Sequence, residues 1–197
     1  MDRWMLITLG IALVICAAIL VFAPAAQAGP PLLCWPYQID DEKSLPWGSG
    51  GWHATASDYD LRRLADDTLA LLGPGVPVIV RMETLRRAAV YATKDRQIAA
   101  HLLGQLETRM HHAEAAGRPD ALAIFDAGYL IETYKQAGLA GVLGNTTNSL
   151  DGYAMIRKAI GIRGPDPEME FAAALALADG RSQNARTAHL QKALAGA

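Results

Sequence analysis

Apolar side chains recur at helical spacing through most of this chain. Val78, Met82, Leu85, Ala89 and Ala92 follow one another at alternating steps of four and three, which puts them on one stripe of a helix. After the polar break Thr93-Lys94-Asp95-Arg96, a second stripe runs through Ile98, Leu102, Leu106, Met110 and Ala113. Neither helix can hide its stripe alone, so the stretch from Arg81 to Met110 predicts an antiparallel hairpin around which the rest is built. Upstream, Ser57 with Asp60 at N3 predicts an earlier helix carrying Leu61, Leu64, Leu69 and Leu72, stopped by Gly73-Pro74-Gly75. Gly117 ends the second helix of the hairpin. Pro119 opens another, to about Gln136, which is apolar on more than one face and is therefore expected at the centre of the body.

The glycine-rich stretch from Gly138 to Ser149 reads as a flexible loop. Helix resumes near Leu150 with Tyr153, Ile156, Ala159 and Ile160 on one side. Gly164 and Pro165 terminate it, Asp166 caps the next, and Pro167 fits its first turn. Phe171, Ala174, Leu175 and Ala178 form the expected inner face of that helix, Gly180 ends it, and Thr187, Leu190 and Leu194 face a last one. No run of alternating β-branched residues speaks for a sheet. The fold expected is all-α, with helical hairpins stacked as a short solenoid or an irregular bundle over residues 57–197.

Two segments precede that body. Met5 to Ala23 is a continuous apolar run of about nineteen residues, followed by Pro24 and then Ala26-Gln27-Ala28. The small residues at Ala26 and Ala28 fit a signal-peptidase site, so residues 1–28 read as a signal peptide cleaved after Ala28. The run is also long enough to span a bilayer, and an uncleaved inner-membrane anchor is the rival. Either way the folded part is placed outside the cytoplasm, periplasmic or secreted. Residues 29–56 carry Pro30, Pro31, Pro36, Pro46 and several glycines, which forbid a long helix, together with Trp35, Tyr37, Trp47 and Trp52. Such rings need a surface to lie on. They either cap the apolar end of the helical body or line a shallow ligand site.

Composition narrows the function. A formal charge of −2 and a pI near 6.2 give no clustered basic excess, which speaks against nucleic acid as a partner. With Cys16 in the leading segment, Cys34 stands alone in the exported part, so no internal disulfide and no Cys-x-x-Cys redox site is expected there. Asp40-Asp41-Glu42 lacks the alternating spacing of a calcium loop and reads as the start of a short helical turn. His101, His111 and His112 share a helix with Glu107, but no third or fourth ligand stands at metal-binding spacing, so neither a metal nor a cofactor is expected. Glu107 and Glu132 lie in apolar helical surroundings and are the acids that a glycan-cleaving enzyme would use. No second carboxylate or catalytic serine accompanies either in sequence, and no catalytic residue is assigned.

The run Ile156-Arg157-Lys158-Ala159-Ile160-Gly161-Ile162-Arg163-Gly164-Pro165-Asp166-Pro167-Glu168 resembles the boundary between tetratricopeptide-like repeats, where an alanine-containing turn, a proline and an acidic cap follow in that order. Leu85-Arg86-Arg87-Ala88 leading through Lys94-Asp95 echoes it, roughly two repeats of thirty-four to thirty-six residues upstream. The resemblance implies stacked helical pairs and a habit of binding proteins or peptides in a groove, and it implies no reaction. The expected function is a non-catalytic interaction module of the cell envelope, holding a protein or peptide partner. Its expected contacts are Trp35, Trp47 and Trp52 from the leader and Arg86, Arg87, Tyr91 and Tyr134 from the helices. A glycan-acting enzyme or a membrane-tethered structural protein is the alternative.

Overall fold

A computed structural model of the chain describes residues 29–143, 150–178, 180 and 182–196. The expected signal segment and the second half of the expected loop lie outside the described residues. Among those described the protein is helical, with no strand and a single isolated bridge between Trp47 and Thr55. The helices are α1 (Pro31–Cys34), α2 (Leu64–Leu71), α3 (Val78–Ala92), α4 (Arg96–Ala115), α5 (Ala121–Gln136), α6 (Gly152–Arg163), α7 (Pro167–Ala176) and α8 (Gln183–Ala195).

Short polar side chains start most of them. Asp95, Asp120, Asp151, Asp166 and Ser182 each accept hydrogen bonds from backbone N–H groups in the first turn of α4, α5, α6, α7 and α8, satisfying donors that have no partner within the helix. Gly117, Gly138 and Gly180 follow the ends of α4, α5 and α7 at φ of 69°, 72° and 84°, a region that costs an L side chain steric strain.

The expected start at Ser57 moves. A 3-10 turn over Leu61–Arg63 leads into α2, and its cap is Asp60, which accepts from the Arg62 amide. The reason lies outside the helix. Tyr91 on α3 takes the Ala56 N–H through its hydroxyl, and the Tyr59 ring packs 4.6 Å from that of Tyr91, so residues 56–59 are tied to α3 before α2 begins.

The core gathers around α5 rather than around the α3–α4 hairpin. Every residue from Leu122 to Tyr134 is buried, and α1, α3, α4, α6 and α7 all pack on this helix. The stripes of α3 and α4 do face inward, with Met82, Leu85, Ala89, Leu102 and Leu106 at 1% exposure or less. They point mainly at α5, and α3 and α4 touch each other little. In a solenoid each unit meets only its neighbours, so one helix enclosed by five others makes this an irregular bundle. The closest pair is α5 with α6, which cross at two glycines. A Cβ on Gly128 would sit 2.8 Å from both the Gly152 carbonyl oxygen and the Met155 Cβ, too close for a real contact.

The last two helices bury more and other residues than the apolar spacing predicts. On α7, the expected Ala174 is buried together with Met169, Ala172, Ala173 and Ala176, while Phe171 and Leu175 are partly covered and pack against the core. On α8 the buried residue is His189, and Leu194 stands 78% exposed. The small alanines of α7 let α8 lie close against it, and His189 is the side chain that α8 turns inward.

Candidate functional site

Seven residues are expected from sequence to contact a partner, and the structure assembles most of them into an interior cluster. Glu83, Arg86, Arg87 and Tyr91 occupy one side of α3, at i, i+3, i+4 and i+8. Glu83 accepts from Arg86 Nε at 2.7 Å and Nη2 at 2.8 Å, from Arg87 Nε at 2.7 Å, and from the Tyr37 amide at 3.0 Å. Burial pushes its carboxyl up, but the bonds and charge of Arg86, then Arg87 and the Tyr37 amide, outweigh that and hold it below the usual range. The guanidinium groups then bind the leader by its carbonyls. Arg86 Nη1 donates to Leu33 and Trp52, Arg87 Nη1 donates to Leu45, and the Tyr91 hydroxyl donates to Pro46. Leu32, Leu33 and Leu45 of the leader are buried beneath.

These positions correct the expected groove. Arg86, Tyr91 and Tyr134 are fully buried, with the Tyr134 hydroxyl donating to the Ala99 carbonyl oxygen, so none of the three lines an open surface. Arginines on a helix are usually solvated. Arg86 is instead inside because the leader turns the carbonyls of Leu33 and Trp52 toward it and so supplies the acceptors that its donors need. Trp47 is half-buried, edge-on to Tyr91 at 5.9 Å with the Arg86 guanidinium 4.9 Å from its ring centre. Only Trp35, at 60%, and Trp52, at 39%, remain exposed. Residues 29–56 thus cover the helical body.

Other expected residues are placed as follows. Asp40-Asp41-Glu42 forms a tight turn closed by Glu42 N–H to the Ile39 carbonyl oxygen, with Asp40 at φ 43°, not a helical start. Glu132 is buried at the α5–α6 interface, accepting from Lys135 Nζ at 2.7 Å and the Tyr153 amide at 3.1 Å. Glu107 is partly exposed on α4, and His101, His111 and His112 are exposed. Among the described residues no group of three His, Cys, Asp or Glu side chains is placed to hold a metal ion. Cys34 is half-buried, and burial pushes its thiol up against the opposing charge of Arg86.

A second ionic site is sealed deeper. Arg81 on α3 pairs with Asp126 on α5 at 2.6 Å, both at 0% exposure, and also donates to the carbonyls of Leu72, Gly73 and Val76. Desolvation outweighs the nearby Arg81 and Arg109 charges and pushes Asp126 up to about 6. Its Oδ1 has no hydrogen-bond partner.

An open site lies among the last three helices. A groove of about 780 Å³ lies between the end of α6, the start of α7 and the end of α8, lined by Ile160, Gly161, Gly164, Pro165, Asp166, Pro167, Glu170, Lys192, Ala195 and Gly196. Its walls are mainly apolar, and its charged groups are Asp166, Glu170 and Lys192. Glu170 is 5% exposed and meets Lys192 Nζ at 3.4 Å. Behind the groove Glu170 holds His189 Nδ1, and His189 Nε2 lies 2.9 Å from the Tyr153 hydroxyl. This polar line ties α6, α7 and α8 together and fixes Glu170 in place. Nothing in the sequence marks it, because its members come from three helices and share no spacing.

The fold and site define an α-helical bundle with a covering N-terminal leader and an open, apolar-walled groove between α6, α7 and α8. Searches of protein-family models, of curated proteins and of solved structures find no match to this chain.

Proposed function

We propose that the chain is a non-catalytic, exported interaction module of the cell envelope that holds a short extended segment of a protein partner in the groove between α6, α7 and α8. The observation that carries this is the groove itself. Its volume, about 780 Å³, suits a few side chains, and ligand sites of this kind are concave, mostly apolar and provided with few polar groups. Ile162 and Leu194, neighbours in sequence of the lining residues Gly161 and Ala195, are exposed at 45% and 78%, an apolar margin that a partner would cover. Lys192 is 63% exposed at its side chain and can meet an acidic group on the segment, while Ile160, Pro165 and Pro167 take a branched apolar side chain beside it.

The test is selection of random peptides on the chain purified after export, followed by titration of the selected peptides against Gly161→Trp. A Cβ at Gly161, a lining residue, would meet no heavy atom within 4 Å, so this substitution starts an indole from the groove wall without a clash at its root. Apolar-acidic peptides whose affinity falls at least roughly tenfold on Gly161→Trp are expected, the loss of about 1.4 kcal/mol of contact. Peptides that bind Gly161→Trp equally well, or no selected peptide at all, would overturn the reading.

A further inference from the structure

The leader is bonded to the helical body as a bound peptide is, through its main chain. Gln136 Oε1 accepts the Leu32 amide at 2.9 Å, and Glu83 accepts the Tyr37 amide at 3.0 Å. The Tyr91 hydroxyl takes the Ala56 amide at 2.9 Å and donates to the Pro46 carbonyl oxygen at 2.6 Å. Arg86 donates to the carbonyl oxygens of Leu33 and Trp52, and Arg87 to that of Leu45. On the body's side each of these partners is a side chain. The backbone–backbone hydrogen bonds of residues 30–55, among the described residues, all stay within the leader. Side chains add bonds from Tyr37 to Tyr129, Ser44 to Thr84 and Lys94 to Thr55. Little of the segment is inside. Of residues 29–56 only Leu32, Leu33 and Leu45 are buried, Cys34, Tyr37 and Trp47 rest partly covered against the core, and more than half of the rest stand exposed.

The receiving half of this contact is built within α3 itself. Glu83 holds the Arg86 and Arg87 guanidiniums from one turn away, at 2.7 to 2.8 Å, so both are fixed by a partner in the same helix. Preorganised charged donors of this kind read an extended chain that turns its carbonyls toward them, whatever its side chains, and lose little freedom on binding it. The leader joins the body through Ser57 and Asp58, both exposed. Tethered there, it meets α3 at a millimolar effective concentration and shuts out a competitor. We propose that the side of α3 bearing Glu83, Arg86, Arg87 and Tyr91 is a peptide-binding channel, and that residues 29–56 are its built-in, exchangeable occupant. Its ligand is an extended, proline-interrupted segment of a partner protein, read through main-chain carbonyls and seated by apolar side chains at the places of Leu32, Leu33 and Leu45. The leader is then an autoinhibitory strap. None of the residues lining the groove between α6, α7 and α8 takes part, so the two sites stand independently.

The experiment uses the full purified chain with a protease site inserted between Ser57 and Asp58, cut after folding. A second variant with the site between Ala56 and Ser57 takes its place if the first is not helical before cutting. The cut leader is challenged with an excess of fluorescent synthetic peptide of the same sequence, residues 29–56. The labelled peptide is expected to replace it on the body within a day, with helical circular dichroism unchanged from that of the uncut chain. Replacing Leu32, Leu33 and Leu45 of the peptide by Ser is expected to weaken binding at least roughly tenfold, while Trp35→Ala with Gln38→Ala and His53→Ala, all exposed, changes it less than about twofold. Random peptides selected on the cut chain carrying Gly161→Trp are expected to contain proline beside apolar residues and to be displaced by the leader peptide. A cut leader that stays in place against the excess, a body that loses its helical signal as the leader leaves, equal weakening by both peptide variants, or selected peptides that the leader does not displace would overturn the proposal.

Discussion

Removing the Glu83 carboxylate is the sharpest test of how the leader is held. Glu83→Ala leaves Arg86 at 0% exposure with no carboxylate, and frees the Tyr37 amide as well. Arg87, with 19% of its side chain exposed, can turn to water, so the main penalty is one buried guanidinium stripped of its counter-charge. Breaking a buried pair from one side costs about 3–5 kcal/mol. That is a large share of the ~5–15 kcal/mol by which a domain is stable. With a urea slope of about 2 kcal/mol/M, a loss of about 4 kcal/mol lowers the unfolding midpoint by about 2 M. Urea titration of the purified chain, followed by tryptophan emission and helical circular dichroism, measures it. Replacing both charges, as Glu83→Leu with Arg86→Met, is expected to cost less than Glu83→Leu alone, because no unpaired charge then remains inside. A Glu83→Ala midpoint within about 0.5 M of the parent would refute the clamp, since a surface pair contributes no more than about 1 kcal/mol. The pH dependence carries the same sign. A carboxyl held low when folded contributes stability above its unfolded value, near 4.5, and loses it as the solution is acidified through the folded one.

Asp126 runs the other way. Its folded pKa of about 6 lies above its unfolded 3.8, so its contribution falls as pH rises from about 4 to 6, by about 3 kcal/mol. Asp126→Asn is expected to remove that slope from urea midpoints measured between pH 4 and pH 6.5, and an unchanged slope would refute the assignment. His189→Ala cuts the line from Tyr153 to Glu170 and removes the buried side chain of α8. Hydrogen exchange of α8 amides is expected to quicken by at least about tenfold while α3 amides keep their rates, as local opening requires. Equal acceleration in both helices would mean that His189 supports the whole bundle.

The sequence by itself determined the helices and their ends. Asp166 caps where the sequence placed it, Gly117 and Gly180 stop helices with backbone that other residues resist, and the all-round apolar stretch after Pro119 became the enclosed helix α5. These are local matters, settled within one or two turns of chain. Which side of each helix meets which neighbour was decided only by the tertiary structure. Arg86 reads as a solvated cation until Leu33 and Trp52, far away in sequence, present their carbonyls to it, and Leu194 reads as core until alanines of α7 bring His189 inward instead. The open groove with Glu170 and Lys192 exists only where three helix ends meet. Burial and pairing are properties of the space between elements, and a spacing rule read along one element does not contain them.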